Sequence, residues 1–305
     1  MERLPDVLVR GLTTDGAFRL ICVRTTRLTA DICQRQQTDP TATVAFGRLL
    51  AAGALMTGLL KPGQRLALAV EGNGPLRRLQ VEGDADGRIC GTIAQPVAAL
   101  PPREGHYDVA TAIGRAGFLR VIKDLGLKEP YQGMVQLSSS EIGEDLAHYF
   151  MVSEQTPACV NLGVLLDPQA GVDASGGFLI QVLPGCPEQA LELLEQQLAQ
   201  LPPLSQLLAT GTEPAAILHT LFPTQSLQLY PPQPLRFSCH CNRDRASALL
   251  ASLPTTEQNG LAAPAAGLLI TCEYCKTQYR FTPEDLASPP RPGTPSPQKG
   301  PRHNV

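Results

Sequence analysis

The sequence predicts an α+β protein with a large N-terminal domain of antiparallel sheet and helices, a helical connector, and a small C-terminal cysteine module. Three observations predict it: strand-like segments separated by turn dipeptides, leucine-patterned helices bracketed by proline pairs, and two close pairs of cysteines. A chain of 305 residues, of which 43% are hydrophobic, can bury one large core and a smaller appendage. We expect a core domain at 1–186, the connector at 187–235, the module at 236–286 and a disordered proline-rich tail at 287–305.

A buried helix and an antiparallel meander are predicted in the first hundred residues. Asp39 precedes Pro40, a favourable first-turn residue, and the apolar run that follows is typical of a buried helix. Alternating segments at 66–70, 76–81 and 89–93 are then separated by Asn-Gly and Asp-Gly dipeptides, which accommodate the positive φ angles of tight turns. These segments predict three consecutive antiparallel strands.

A capped helix and a second hairpin complete the predicted core domain. Ser138 and Glu141 have the spacing of a capping box ahead of a helix at 142–150. Segments 159–166 and 178–183, joined by a loop of Gly, Asp and Ala, predict the hairpin. Because strands and helices do not alternate strictly, the pattern favours an α+β fold over a doubly wound sheet.

The connector is predicted as three helical pieces. The first, Glu188 to Leu201, is stopped by a proline pair, and two shorter pieces follow within 204–222 before a second proline pair. Their apolar faces need a cover, and the residues that form them are Leu191, Leu194, Leu198, Leu201, Leu207, Leu208, Leu218 and Leu221. Two interpretations stay open: a hinge or metastable element between two independently stabilised units, or an ordinary helical subdomain packed on the core.

The C-terminal module carries two close cysteine pairs, Cys239 with Cys241 and Cys272 with Cys275. Zinc takes four thiolates in a tetrahedron, so these four residues are candidate ligands of one zinc ion in the reduced state. Neighbouring thiolates also suit redox chemistry, because an oxidant can turn one into a sulfenic acid that another thiol resolves to a disulfide. An inert structural Cys₄ ribbon and a DNA-binding finger are the alternatives.

The sequence around the four cysteines predicts two short strands and several basic side chains near the sulfurs. Strands are expected at 268–271 and 277–281, with Tyr279 and Phe281 on one face. Nearby basic side chains are expected to offset the thiolate charge, and they are Arg243, Arg245, Lys276 and Arg280. A thiol oxidoreductase would instead place its Cys-x-x-Cys at a helix N-terminus.

Charge and hydropathy argue against nucleic acid and membrane as partners. The formal net charge is −3, and segment 236–286 contains five basic and five acidic residues, hence no net charge. The longest apolar run, Leu49 to Leu60, contains two glycines and is too short to span a bilayer. No secretory signal is recognisable, so we expect a cytoplasmic location.

Cysteine usage and the lack of catalytic motifs narrow the function further. Nine cysteines in a reducing compartment do not predict a disulfide framework. Five of them stand singly among apolar neighbours and are predicted to be small buried hydrophobes, namely Cys22, Cys33, Cys90, Cys159 and Cys186. Neither a Ser/His/Asp constellation nor a glycine-rich phosphate loop is recognisable, so an enzyme is not expected.

Three stretches resemble the redox-regulated thirty-three-kilodalton heat-shock chaperonin family of bacteria. They are the cysteine module with FSCHCNR at 237–243 and CEYC at 272–275, VIKDLGLKEPYQG at 121–133, and EDLAHYFMVSEQTP at 144–157. The resemblance extends from about residue 7 to residue 286. One departure is the stretch 246–267, which has Glu257 as its single charge where family members usually carry an acidic helical stretch.

The resemblance implies an ATP-independent holdase that is inactive while reduced and zinc-bound. It implies disulfides Cys239–Cys241 and Cys272–Cys275 on oxidation, unfolding of the module and of the connector at 187–235, and binding of unfolding client proteins. It further implies a monomer when reduced and a homodimer when oxidised. A zinc-ribbon interaction or nucleic-acid-binding module is the alternative function.

Overall fold

The computed structural model describes residues 4–102, 106–253, 267–282 and 284–285. Its helices and largely antiparallel sheets confirm the predicted α+β class. Two compact units divide between Cys239 and His240, so the segment predicted as a connector belongs to the first unit together with the core. The predicted tail at 287–305 and most of the charge-poor stretch at 246–267 lie outside the described residues.

The strands of the described residues are β1 (Val7–Thr13), β2 (Phe18–Arg24), β3 (Arg65–Gly72), β4 (Arg78–Asp84), β5 (Arg88–Ile93), β6 (Gly117–Asp124), β7 (Tyr131–Gln136), β8 (Ala158–Leu166), β9 (Val172–Val182), β10 (Leu227–Leu229), β11 (Gln233–Pro234), β12 (Arg236–Phe237), β13 (Leu268–Thr271) and β14 (Gln278–Phe281). The helices are α1 (Thr26–Gln36), α2 (Pro40–Thr57), α3 (Val109–Ile113), α4 (Ile142–Ser153), α5 (Glu188–Gln200), α6 (Leu204–Ala209), α7 (Pro214–Leu221) and α8 (Arg243–Ala251). Within this described part of the chain, no helix is both long and apolar enough to cross a membrane.

Two six-stranded sheets build the first unit. The first sheet has the order β10-β1-β2-β9-β8, and β11 also pairs with β1; all of its pairings are antiparallel. The second sheet has the order β12-β5-β4-β3-β6-β7 and is antiparallel except for the parallel pair β12–β5. The predicted meander, β3 to β5, and the predicted hairpin, β8 with β9, are both confirmed.

Helix α2 lies at the centre of this unit and packs against strands of both sheets. It begins as predicted, because Asp39 accepts a hydrogen bond from the amide of Ala42 at 2.8 Å and Pro40 occupies the first turn. Gly53 allows close contact with β4, since a Cβ atom there would lie 2.5 Å from Cγ1 of Val81. The helix is therefore buried almost all round, as its apolar sequence indicates.

The Asn-Gly turn between β3 and β4 differs from the prediction. Gly74 does not take a positive φ; Arg77 does, at 63°. Asn73 instead accepts a hydrogen bond from the amide of Ala116 at 3.1 Å, and a Cβ on Gly74 would lie 2.5 Å from the carbonyl oxygen of Ala112. Contact with a distant loop, and not the local turn, sets the conformation of this dipeptide.

The predicted capping box before α4 is wrong. Glu141 is the residue before the helix, but its side chain makes no capping hydrogen bond. The buried carboxylate of Asp145 accepts three hydrogen bonds, from the amides of Ser138 and Ser139 and from the hydroxyl of Ser138. A first-turn carboxylate reaching back to the loop thus replaces the expected Ser–Glu exchange.

The connector helices α5, α6 and α7 cover the outer face of the first sheet. The buried apolar residues between them, which we call the connector cluster, are Val9, Ala17, Phe18, Leu20, Cys22, Ala174, Phe178 and Ile180 from the core and Ala190, Leu194, Leu204, Leu208, Ile217, Leu218, Leu221 and Phe222 from the connector. All eight leucines predicted to need a cover are buried in this cluster or packed against it. A separate and larger apolar cluster surrounds α2 between the sheets.

Candidate metal centre

The first cysteine pair follows a short strand that is anchored in the second sheet. Strand β12 pairs with β5, and the amide of Ser238 donates a hydrogen bond to the carbonyl of Ile89 at 3.0 Å. Cys239 is the next residue, so one candidate ligand is joined directly to a hydrogen-bonded strand. Beyond Cys241, Asn242 caps α8 by accepting a hydrogen bond from the amide of Arg245 at 2.8 Å.

The second pair lies in the turn of the β13–β14 hairpin. The amide of Cys272 donates to the carbonyl of Thr277, and the amide of Lys276 donates to the carbonyl of Cys272, each at 2.9 Å. Lys276 takes a positive φ of 59° to close this turn. The two predicted strands are confirmed, and Tyr279 and Phe281 share the less exposed face of β14.

The structure brings the four sequence-predicted thiols together. The sulfur atoms of Cys239, Cys241, Cys272 and Cys275 all lie within 4.8 Å of one another, and those of Cys241 and Cys275 are 3.2 Å apart. The edge of a tetrahedron with Zn–S distances of about 2.3 Å is about 3.8 Å, close to this spacing. Four soft sulfur donors at such distances fit zinc better than a hard cation such as Mg²⁺ or Ca²⁺.

Hydrogen bonds set the acidity of the sulfur at one corner of this cluster. Burial raises the pKa of the Cys275 thiol, but hydrogen bonds with Thr277, Cys241 and Cys272 outweigh it and lower the pKa to about 6. The Thr277 hydroxyl lies 3.1 Å from this sulfur. The lowered pKa favours the thiolate form at this corner of the cluster, and the thiolate is the form that binds metal and reacts with oxidants.

Two of the four basic residues expected to offset the thiolates, Arg243 and Arg245, make contacts with other groups. Arg243 donates to the carbonyl of Arg280 and to the carboxylate of Asp285, and its guanidinium stacks 4.5 Å from the Phe281 ring. Arg245 donates to the carbonyl of His240 at 3.0 Å. These two arginines thus stabilise the backbone around the cluster. Their closeness to the cysteines in sequence was compatible both with this role and with compensation of the thiolate charge.

Two hydroxyl groups near the sulfurs were not predicted as site residues. One is Thr277, and the other is Tyr279, whose hydroxyl lies 3.2 Å from the sulfur of Cys241. That hydrogen bond, followed by burial and the charge of the neighbouring thiolates, raises the pKa of Tyr279. The available signal was their position two and four residues after Cys275, with Thr277 just before β14 and Tyr279 on it.

The five single cysteines stand apart from this cluster. Cys22, Cys33 and Cys90 are buried, as predicted for small hydrophobes. Cys159 and Cys186 are only partly buried, and the sulfur of Cys186 contacts the carbonyl of Pro187 at 3.6 Å. The prediction is therefore wrong in degree for these two, because both lie at the border of the connector cluster and not inside it.

Comparison with known proteins places this geometry in a family. The family model described as Hsp33 protein matches residues 6–282. A 33 kDa chaperonin of Syntrophotalea carbinolica is 47% identical over 93% of this chain and 98% of its own, and that of Geobacter sulfurreducens is 43% identical over 93% and 94%. The crystal structure of the 33 kDa chaperonin (heat shock protein 33 homolog) of Thermotoga maritima is similar, with a TM-score of 0.87 and 35% identity, covering 93% of this chain and 97% of that one.

These matches confirm the resemblance and support a chaperone role for the chain, which fits the expectation of a protein that is not an enzyme. They include the four clustered cysteines as well as both sheets of the first unit. The chain belongs to the Hsp33 protein family.

Proposed function

We propose that this protein is a redox-regulated, ATP-independent holdase that binds unfolding proteins under oxidative stress. The observation that carries the proposal is the group of four sulfurs within 4.8 Å of one another, joined through β12 to a connector that covers an apolar sheet face. In the reduced, zinc-bound form that face is covered and the protein is inactive. In the disulfide form the face is uncovered and the protein is active.

Cys239, Cys241, Cys272 and Cys275 would hold one zinc ion in the reduced state. When bound, the ion would tie two segments distant in sequence into one small module and keep the four sulfurs as thiolates. The chain itself would transmit this restraint to the connector, because only Ser238 separates Cys239 from β12. We place the boundaries of the responsive part at 187–235 for the connector and 236–286 for the module.

Oxidation converts the four donors into two disulfides. A peroxide oxidises one thiol to a sulfenic acid and is reduced to water; a second thiol then attacks that sulfur, the S–S bond forms, and the hydroxyl departs as another water. We propose the pairs Cys239–Cys241 and Cys272–Cys275. The 3.2 Å approach of Cys241 and Cys275 does not decide the pairing, because once the module loosens the shortest loops close with the smallest loss of entropy.

Peptide mapping after mild peroxide treatment is expected to find these two short-range disulfides as the main products. The Cys239–Cys241 bond closes the smaller ring, and we expect it to be reduced first when dithiothreitol is titrated in. A dominant Cys241–Cys275 crosslink would mean that the folded cluster, and not the loosened module, determines the pairing.

Release of the connector would then expose the client-binding surface. Strands β10, β11 and β12 run from α7 to Cys239, so disorder that begins at the cysteines can spread back along them. Undocking of α5 to α7 would uncover the core side of the connector cluster and the leucines of the helices. Large exposed apolar surfaces of this kind bind other chains, here unfolded clients and, in the oxidised form, a second copy of the protein.

We place the reduced monomer and the oxidised homodimer in the cytoplasm, as expected for a bacterial chaperone.

Two alternative functions are disfavoured by specific contacts. In a nucleic-acid-binding or interaction ribbon the basic side chains would be available for a partner, whereas Arg243 is paired with Asp285. In a thiol oxidoreductase the Cys-x-x-Cys would begin a helix, whereas Cys272 follows β13 and Cys275 precedes β14.

Aggregation of a heat- or urea-denatured test protein should be suppressed by the peroxide-treated protein and not by the reduced, zinc-loaded protein, both without ATP. The expected difference is about tenfold or more in the amount needed for half suppression, because the apolar face is available in one form only. Equal suppression by both forms would contradict redox regulation, and suppression by neither would contradict the holdase.

A further inference from the structure

Arg24 is a buried charge at the end of β2. Its side chain is 3% exposed, while that of its ion-pair partner Glu213 is 55% exposed. One nitrogen, Nη2, donates to both carboxylate oxygens of Glu213 at 3.1 and 3.3 Å, and Nε donates to the carbonyl of Pro5 at 3.0 Å. Among the described residues Nη1 has no hydrogen-bond partner. The guanidinium is thus desolvated and depends strongly on one carboxylate.

That carboxylate belongs to the connector. Glu213 directly precedes α7, the helix that packs on β1 and β2 through Ile217, Leu218 and Leu221. The ion pair therefore joins the core and the connector at the edge of the connector cluster. Residues 189 positions apart in sequence meet here.

A second carboxylate near Arg24 does not replace Glu213. Asp6 lies close enough for the Arg24 charge to act on it, but its oxygens accept hydrogen bonds from the amides of Arg27 and Leu28 at 3.1 and 2.6 Å, at the start of α1. Asp6 therefore caps a core helix. When the connector is docked, the Arg24 guanidinium hydrogen-bonds to a carboxylate only through Glu213 among the described residues.

We propose that the Arg24–Glu213 pair is a latch that holds α7 on the core in the reduced state. With the connector docked, removing Glu213 leaves a buried and poorly compensated charge, which is costly. With the connector undocked, water can solvate Arg24 whether or not Glu213 is present. The pair therefore raises the cost of undocking without contributing to client binding. This inference rests on the proposed function, because it concerns the release of the same connector.

The reactivity of two buried cysteines can report whether the connector has undocked from the core. Cys22 lies in the connector cluster, and Cys33 lies in the separate cluster around α2; neither is more than 5% exposed. Burial raises the pKa of each thiol to about 12, so both are equally protected chemically. Undocking exposes Cys22 alone, whereas loss of the core exposes both. Alkylation by iodoacetamide, followed by peptide mass mapping, separates the two events.

In the reduced, zinc-loaded full-length protein, Glu213→Gln is expected to increase the rate of Cys22 alkylation by about tenfold and to leave the rate at Cys33 unchanged, because the buried Arg24 guanidinium loses its carboxylate partner. Glu192→Gln, at an exposed position on α5 with the same charge change, should leave both rates at the parent values. Adding Arg24→Met to Glu213→Gln should restore much of the Cys22 protection. Glu213 could also stabilise α7 through its negative charge at the start of the helix, and that contribution is lost in both the single and the double variant. Restored protection in the double variant therefore shows that the unpaired Arg24 charge, and not the lost helix interaction, caused the effect.

The outcomes separate the latch from the proposed function. Unchanged Cys22 protection in Glu213→Gln, together with rapid Cys22 alkylation of the parent after peroxide, would overturn the latch and leave redox release in place. Slow Cys22 alkylation of the parent after peroxide would overturn connector release itself. Equal acceleration at Cys22 and Cys33 in Glu213→Gln would show core destabilisation and would also overturn the latch.

Discussion

Replacing Cys272 with serine is expected to lower the zinc content of the reduced protein from about one ion per chain to nearly zero after dialysis against a competing chelator. A hydroxyl is a poor substitute for a thiolate, and loss of a direct ligand should weaken binding by more than the roughly 10–100-fold typical of changes to groups that only orient ligands. The same result is expected for Cys239, Cys241 and Cys275, because all four sulfurs belong to one cluster. Metal analysis of the purified variants is the measurement.

The matched control is Cys159→Ser, which removes a partly buried thiol outside the cluster and should leave the zinc content unchanged. Full zinc in Cys272→Ser would contradict the four-sulfur site. Because metal binding in such modules is coupled to folding, the ligand variant should also lose protection from proteolysis after Cys239, while the core remains resistant.

Oxidation should produce the second large effect, a loss of amide protection across the connector and the module that spares the core. Hydrogen exchange measured before and after peroxide treatment is expected to accelerate in α5, α6, α7 and the β13–β14 hairpin by at least about a hundredfold, as in segments that change from packed to locally unfolded. The strands β3 to β6 should keep their protection, because they pack in the cluster around α2 and not in the connector cluster.

The control for irreversible damage is a sample that is treated with peroxide in the same way and then reduced with dithiothreitol and reloaded with zinc. Its connector should regain protection. If the connector stayed protected while aggregation suppression appeared, the client surface would have to lie elsewhere in the protein and the connector mechanism would be abandoned.

The parts of the fold that could be predicted are those fixed by residues near one another in the chain. The Asp39-Pro40 start of α2, the leucine spacing of the connector helices and the alternation of β3 to β5 each need only a local pattern. The four thiols were also predictable from local sequence, because each short-spaced pair keeps two sulfurs close together in the chain. Their meeting in space, within 4.8 Å, then required only that the two pairs face one another.

The features that could not be predicted are long-range pairings of short segments. Strands β10, β11 and β12 contain two or three residues each, too few for a periodic signal, and exist because β1 and β5 offer unpaired edges. Ser138 and Glu141 have the spacing of a capping box, yet the loop donates its hydrogen bonds to Asp145, because that carboxylate is buried against the loop.

The sequence alone predicted the α+β class, the family and the four cysteines that the structure brings together. Only the tertiary structure decided which surface the connector covers, that Thr277 and Tyr279 bond to the sulfurs, and that Arg24 meets Glu213. The physical reason is that helix periodicity, turn chemistry and ligand spacing act over a few residues and leave a mark in the sequence. Burial and charge pairing between segments up to 189 residues apart depend on the whole packed chain.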